Sequence, residues 1–269
     1  LVKLLERNLT TEVICHGFEH IYLVFPNKYE VCQPFFLNNQ SMLELMQDYC
    51  LKQNILFNPS HPFASGICSQ NLYRWQMLMP SITAGKPLVS IRKHNFSEIK
   101  LTNFHWEKNT YLELIDHLND GRHFIVCGAT GSGKTTFIHT LISKFLRNQR
   151  VVIIEKYNEL PCTSIYWSKL NCTGQTKQDL KQLWKISLRL RPDHFILGEI
   201  QSEEMLLYLE IISSGHKSCF TTFHAQNIDE ARKRISLTCK HKLQQYEKDI
   251  CFVFLKRGSP PKVVEITSL

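Results

Sequence analysis

One octapeptide, GATGSGKT (Gly128–Thr135), has the residue types needed to hold a chain of phosphates. It satisfies the pattern G-x-x-x-x-G-K-[ST] in full, and Thr136 follows it. Glycines let the backbone turn and come close to an anion without a Cβ in the way. The loop N–H groups and a following helix N-terminus then face that anion. Gly128, Ala129, Thr130, Gly131, Ser132, Gly133, Lys134, Thr135 and Thr136 are therefore the expected phosphate-binding residues. Lys134 supplies a point charge to the β and γ phosphates, and the Thr135 hydroxyl is a ligand for Mg²⁺.

Further groups recur at the ends of apolar runs. FILGEI (195–200) ends near Glu199, where a strand of a phosphate-loop sheet presents an acid that holds the Mg²⁺ shell or activates water. VVIIEKYNEL (151–160) places Glu155 at a second strand end and Glu159 four residues on. TTFHAQN (221–227) ends a third run on His224, at the sheet edge where ligands bind in such folds. Arg189 and Arg191 precede the Glu199 run and suit either phosphate contact or ion pairing.

The elements that must carry these groups follow from periodicity. From residue 109 onward, strand-like and helix-like runs alternate. A strand at 123–127 enters the loop and a helix opens near 133. Further strands read at RVVIIE, SIYWSKLN, HFILGEI and SCFTTFH, with helices between several of them. Such alternation implies a mostly parallel sheet wrapped by helices, and the chain ends in a hairpin around KRGSPP. Residues 1–94 read instead as α+β, with antiparallel strands and one helix at 40–54. HPFASGICS reads as a loop or edge. Residues 95–108 show no clear period and are expected to be a linker. The expected division is 1–94, 95–108 and 109–269.

Bulk properties narrow the class. The chain has 269 residues, 43% hydrophobic and 21% charged, which is ordinary globular composition. No apolar run approaches the roughly 18 residues that span a bilayer, and the charged N-terminal stretch makes a poor signal peptide. A net charge of +8, spread along the chain, permits contact with nucleic acid or an anionic membrane without requiring it. The ten cysteines form no C-x-x-C pair, which argues against zinc and for a reducing compartment. A soluble cytoplasmic protein is expected.

GATGSGKTT, VVIIEKYNEL, LRLRPDHFILGEI and SSGHKSCFTTFHAQN, in this order and spacing, resemble the signatures of the secretion-superfamily traffic ATPases. These are the phosphate loop, an acidic box, a Gly-Glu Walker B strand and a histidine box. The resemblance is to the type IV secretion and Tad pilus branch. It is strongest over 123–235 and extends upstream into LYRWQMLMPSITAGKPLVSIRKH. It implies a PAS-like N-terminal domain and a RecA-like domain, assembled as a homo-hexamer that hydrolyses ATP with Mg²⁺. The implied partners are inner-membrane platform or secretion-channel proteins, with nucleic acid only as cargo and peripheral attachment at the cytoplasmic face of the membrane. Carried over by motif, Glu199 is the Walker B acid, a water activator and, with Thr135, a metal residue. Glu155 and Glu159 belong to the acidic box, His224 to the histidine box, and Arg74 and Arg92 to strands that approach the phosphates. The chain departs from the pattern at Lys156, where the family has aspartate. It departs again at Gln201 and Lys185, where the family has arginine. These departures bear on turnover rather than on nucleotide binding.

Two other readings stand beside this one. A nucleic-acid translocase on the same core would be stimulated by single strands. A weakly hydrolysing regulatory subunit would release phosphate no faster than its Glu199→Gln variant.

Overall fold

Two sheets of different kind divide the chain. The computed structural model describes all residues except 7–8, 26–27, 69–72, 94–98, 108, 157–158, 173–176, 202–203, 247, 259 and 269, and except the side chains of 177–179, 240 and 241. Contacts separate a first unit, Leu1–Asn95, from a second, Phe96–Leu269.

The first unit opens with a short helix, α1 (Val2–Leu5), then β1 (Glu12–His16), β2 (His20–Val24) and β3 (Tyr29–Cys32). Helix α2 (Asn39–Lys52) follows, then β4 (Phe63–Ile67), β5 (Tyr73–Leu78) and β6 (Leu88–Lys93). The six strands form one antiparallel sheet in the order β3-β2-β1-β6-β5-β4. Asn38 and Ser41 start α2 with a reciprocal capping box, which satisfies two N–H groups that the first turn leaves open. Met42, Met46 and Cys50, spaced four apart, then share one buried cluster with Trp75, Met77, Val89 and Ile91 of the sheet. HPFASGICS supplies the edge strand β4.

The second unit holds β7 (His105–Trp106), α3 (Thr110–Asn119), β8 (His123–Gly128), α4 (Lys134–Phe145), β9 (Val151–Glu155) and β10 (Trp167–Asn171). Next come α5 (Lys177–Ser187), β11 (His194–Leu197), α6 (Met205–Ile212), β12 (Cys219–His224) and α7 (Ile228–Gln244), and then the hairpin β13 (Ile250–Lys256) and β14 (Lys262–Ser268). The sheet order is β10-β9-β11-β12-β8-β13-β14-β7, and every pairing is parallel except β13 with β14. Strands β8, β9 and β11 are buried along their whole length. Helices cover both sheet faces, so alternate residues of one strand enter two different cores. Ile125 and Cys127 pack in the cluster with Trp184 and Tyr208, while Phe124 and Val126 pack in the one with Phe137 and Leu141. Such strands read as unbroken apolar runs.

From residue 101 onward, the stretch expected as a linker packs into the second unit. Leu101–Asn103 form a 3₁₀ turn, β7 pairs with β14, and Leu101 and Phe104 are buried, with the Phe104 ring edge-on to Phe137. Two buried side chains on a turn and a two-residue strand generate no period. Among the described residues, no helix is long and apolar enough to cross a membrane.

Candidate functional site

The loop is held in place by the strand before it and the helix after it. Strand β8 delivers Gly128 at the C-terminal edge of the sheet, and α4 begins at Lys134. Gly128 has φ +156°, and a Cβ there would lie 2.5 Å from the Leu255 carbonyl oxygen and from Ser132 Oγ. Only glycine fits that approach. Lys134 is buried, and its ammonium donates to the carbonyls of Gly128 (3.0 Å) and Ala129 (2.9 Å). Burial lowers its pKa, opposed mainly by the Glu199 charge. Thr135 Oγ1 donates to Glu159 Oε2 at 3.3 Å.

Strand register lines up the remaining groups. Because β12 lies between β8 and β11, His224 pairs directly with Gly128, and Glu199 follows the end of the next strand. Lys134 Nζ lies 3.2 Å from His224 Nδ1, and His224 Nε2 lies 3.2 Å from Glu199 Oε1. A lysine can only donate, so Nδ1 accepts and Nε2 carries the hydrogen that reaches Glu199. Burial, seconded by the Lys134 charge, lowers the His224 pKa and favours this neutral form. Arg234 donates to the His224 carbonyl and covers the Phe223 ring. Thr222 Oγ1 donates to the Gly198 carbonyl at 2.8 Å, and the Ile200 N–H donates to the Thr222 carbonyl at 3.1 Å. These bonds fix the Gly-Glu turn to β12.

Glu155 differs from the other acids. It is 3% exposed, and both oxygens are engaged, by the Leu160 N–H (3.1 and 3.2 Å) and by Lys169 Nζ (2.7 Å). Burial raises its pKa to about 7, against the pull of Lys169. Its carboxyl packs onto Gly198, where a Cβ would come within 2.7 Å of Glu155 Cγ. Gly198→Ala is therefore expected to lower stability by roughly 1–3 kcal/mol, because the intruding methyl must displace an anchored side chain. Chemical denaturation checks this, and a variant as stable as the parent would contradict the close packing.

The structure thus brings together Gly128, Lys134, Thr135, Glu159, Glu199 and His224. Arg74 and Arg92 belong to the first unit, where they stand directly opposite each other on β5 and β6, with Glu12 opposite Arg92 on β1. Arg189 lies in a 3₁₀ turn before β11 and Arg191 caps it; both are exposed, as is Lys185. Lys156 pairs with Glu204, whose second oxygen accepts the Gln201 N–H at 3.0 Å. Glu204 and Lys169 are the residues that sequence reading passed over. A lysine inside the otherwise strand-like WSKLN was the available sign of Lys169, and nothing marked Glu204 beyond an acid at a helix start.

Mg²⁺ fits these oxygens. Among the described residues, no three His, Cys, Asp or Glu side chains converge to hold a metal by themselves. Mg²⁺ at a phosphate site takes one or two protein oxygens and fills the rest from phosphate and water. Thr135, with Glu159 against it and Glu199 just past the end of β11, offers that hard-oxygen set.

Residues 73–245 match the family described as Type II/IV secretion system protein. The conjugal transfer protein TrbB of Rhizobium radiobacter is 28% identical over 196 residues, which is 70% of this chain and 60% of TrbB. Protein VirB11 of the same organism is 34% identical over 125 residues, 45% of this chain and 36% of VirB11. The chain thus spans no more than 60% of the length of these relatives. Among solved structures, the Legionella pneumophila ATPase DotB superposes with a TM-score of 0.64 at 16% identity, covering 92% of this chain and 72% of that one. The pilus retraction motor PilT with bound ADP gives 0.68 at 14% identity, covering 95% and 76%. At such identities the likeness is one of fold.

Proposed function

Because the chain belongs to the type II/IV secretion system protein family, we propose that it is the ATP-hydrolysing motor subunit of a secretion or pilus-assembly machine. One observation carries the reading. Lys134, His224 and Glu199 form a continuous hydrogen-bonded line from the phosphate loop to an exposed acid, at the edge where a parallel sheet receives ligands.

In this reading the loop N–H groups and the α4 N-terminus bind the phosphates, and Lys134 leaves the loop carbonyls for the γ-phosphate. Glu199 accepts a proton from the water whose oxygen attacks the γ-phosphorus. The bond from that phosphorus to the β–γ bridging oxygen breaks, releasing ADP and phosphate. His224 orients Glu199 through its Nε2–H. Glu159 holds the Thr135 hydroxyl. Thr135 and Glu199 would hold Mg²⁺, which would supply positive charge against the phosphates. Glu155 acts by position, since both its oxygens are already engaged. Arg74 and Arg92 are proposed to reach the phosphates, within one subunit or across a homo-hexamer. The hexamer, its cytoplasmic place and its membrane-complex partners are inferred from the family.

The test joins size to turnover. Phosphate release from Mg·ATP is measured across protein concentration alongside light scattering. Release that rises with a hexameric species is expected. Release no faster than that of a Lys134→Ala variant at every concentration would overturn the motor reading and favour a regulatory subunit. Strong stimulation by single-stranded DNA would favour a translocase.

A further inference from the structure

We propose that Lys156 and Glu204 form a positioning pair that sets the spacing between the two acid-bearing segments, and so governs turnover rather than nucleotide affinity. The inference rests on the ATPase reading above.

The segment after β9 carries Glu159, which meets Thr135; the segment after β11 carries Glu199, which meets His224. Among the described residues, the last sheet hydrogen bond between β9 and the chain leaving β11 runs from the Gly198 N–H to the Ile154 carbonyl, at 3.0 Å. Glu204 joins them through its two oxygens. One takes the Lys156 ammonium from the first segment, and the other takes the Gln201 backbone N–H of the second. Glu204 is buried at the start of α6, with a side chain only 7% exposed, so its charge requires a partner. Lys156 is its ion-pair partner, with a side chain 27% exposed.

The surroundings make the sign of that charge matter. Glu155, Glu159, Glu199 and Glu204 line one small cleft of about 70 Å³, and Lys156 is the one basic residue among its described lining. Glu155 is served from outside the cleft by Lys169. Without the Lys156 charge, Glu204 would be left buried beside Glu159 and Glu199, and repulsion would push apart the two acids that must work together. A displacement of about 1 Å at such a site costs on the order of a hundredfold in rate. Nucleotide affinity depends mainly on the loop and Lys134, which this pair does not touch. The aspartate-to-lysine departure in the acidic box is then an exchange of one positioning device for another.

The test uses the full chain with Lys156→Met, Lys156→Arg, Glu204→Gln and the Met/Gln double variant. Lys156→Met is expected to lower kcat by about 10–100-fold with KM for ATP within about threefold, and Lys156→Arg to stay near the parent. The double variant is expected to be no slower than the slower single, the mark of one shared interaction. The Mg²⁺ concentration for half-maximal binding of a fluorescent ADP analogue is expected to shift at least about threefold in Lys156→Met, because the acids facing the metal have moved. An unchanged kcat, a fall in affinity matching the fall in kcat, or additive single effects would overturn the proposal. The ATPase reading would survive any of these, since it is judged by Lys134 and Glu199 variants. If the parent itself shows no turnover, the ATPase reading fails, and the Mg²⁺ titration then decides the pair alone: an unshifted midpoint rejects it.

Discussion

Glu199→Gln is expected to lower kcat by about 10²–10⁴-fold while leaving nucleotide affinity within about threefold. The amide has nearly the same shape and can still meet the His224 Nε2–H through its oxygen, so the hydrogen-bonded line from Lys134 survives. It cannot accept a proton at neutral pH, so on the proposed mechanism general-base assistance alone is removed. Glu159→Gln touches the partner of the Thr135 hydroxyl and is expected to raise the Mg²⁺ requirement as well as to slow turnover. Glu155→Gln is expected to act chiefly on stability, because that carboxyl is tied to Leu160 and Lys169. Single-turnover phosphate release and fluorescent-nucleotide binding, measured on all three variants, separate these effects. A Glu155→Gln variant that folds as tightly as the parent yet loses turnover as fully as Glu199→Gln would reassign the proposed base.

The second large effect is acid lability of the second unit. His123, His139 and His194 are all buried there, and burial lowers each pKa from 6.5 to about 4. His123 Nδ1 accepts the Cys219 N–H at 3.1 Å, so protonation there also breaks a strand contact. The unfolded chain binds these protons between about pH 6.5 and 4 and the folded one does not. Stability is therefore fully present above pH 6.5 and is lost as pH falls toward 4, by at most about 3 kcal/mol per histidine. Glu155 has the opposite sign. Its folded pKa of about 7 exceeds the ordinary 4.5, so its contribution is present at low pH and is lost as pH rises from 4.5 through 7. Three groups outweigh one, and a small domain holds only about 5–15 kcal/mol. Denaturant midpoints are expected to climb from pH 4.5 to 6.5 and then level, with a shallower climb in His123→Gln. A flat profile over that range would contradict the burial of these rings in neutral form.

The parts legible in sequence were those whose residues are neighbours along the chain. HFIVC before GATGSGKT and the helix after it placed the loop, because a strand buried on both faces reads as an unbroken apolar run. VVIIE, HFIL and CFTTFH were readable for the same reason. Glu155 and Glu159 looked alike in VVIIEKYNEL. Their difference comes from register: β10 runs parallel to β9 and brings Lys169 beneath Glu155, while Glu159 meets Thr135. Nothing within ten residues of Glu155 announces that lysine. Lys156 and Glu204 are 48 positions apart and meet only once β9 and β11 lie side by side. Within the stretch 95–108 expected as a linker, residues 101–106 form a turn and a two-residue strand, which are too short to carry a period.

Strand β12 also works as a ruler. Adjacent strands stand about 4.8 Å apart, so placing β12 between β8 and β11 sets the loop strand and the acid-bearing strand roughly 10 Å from each other. The His224 imidazole spans that gap, 3.2 Å from Lys134 Nζ and 3.2 Å from Glu199 Oε1. With the two strands adjacent, the ammonium and the carboxylate would meet and neutralise each other. A fold that inserts one strand, and ends it on a histidine that touches both sides, keeps this ammonium and this carboxylate apart while linking them.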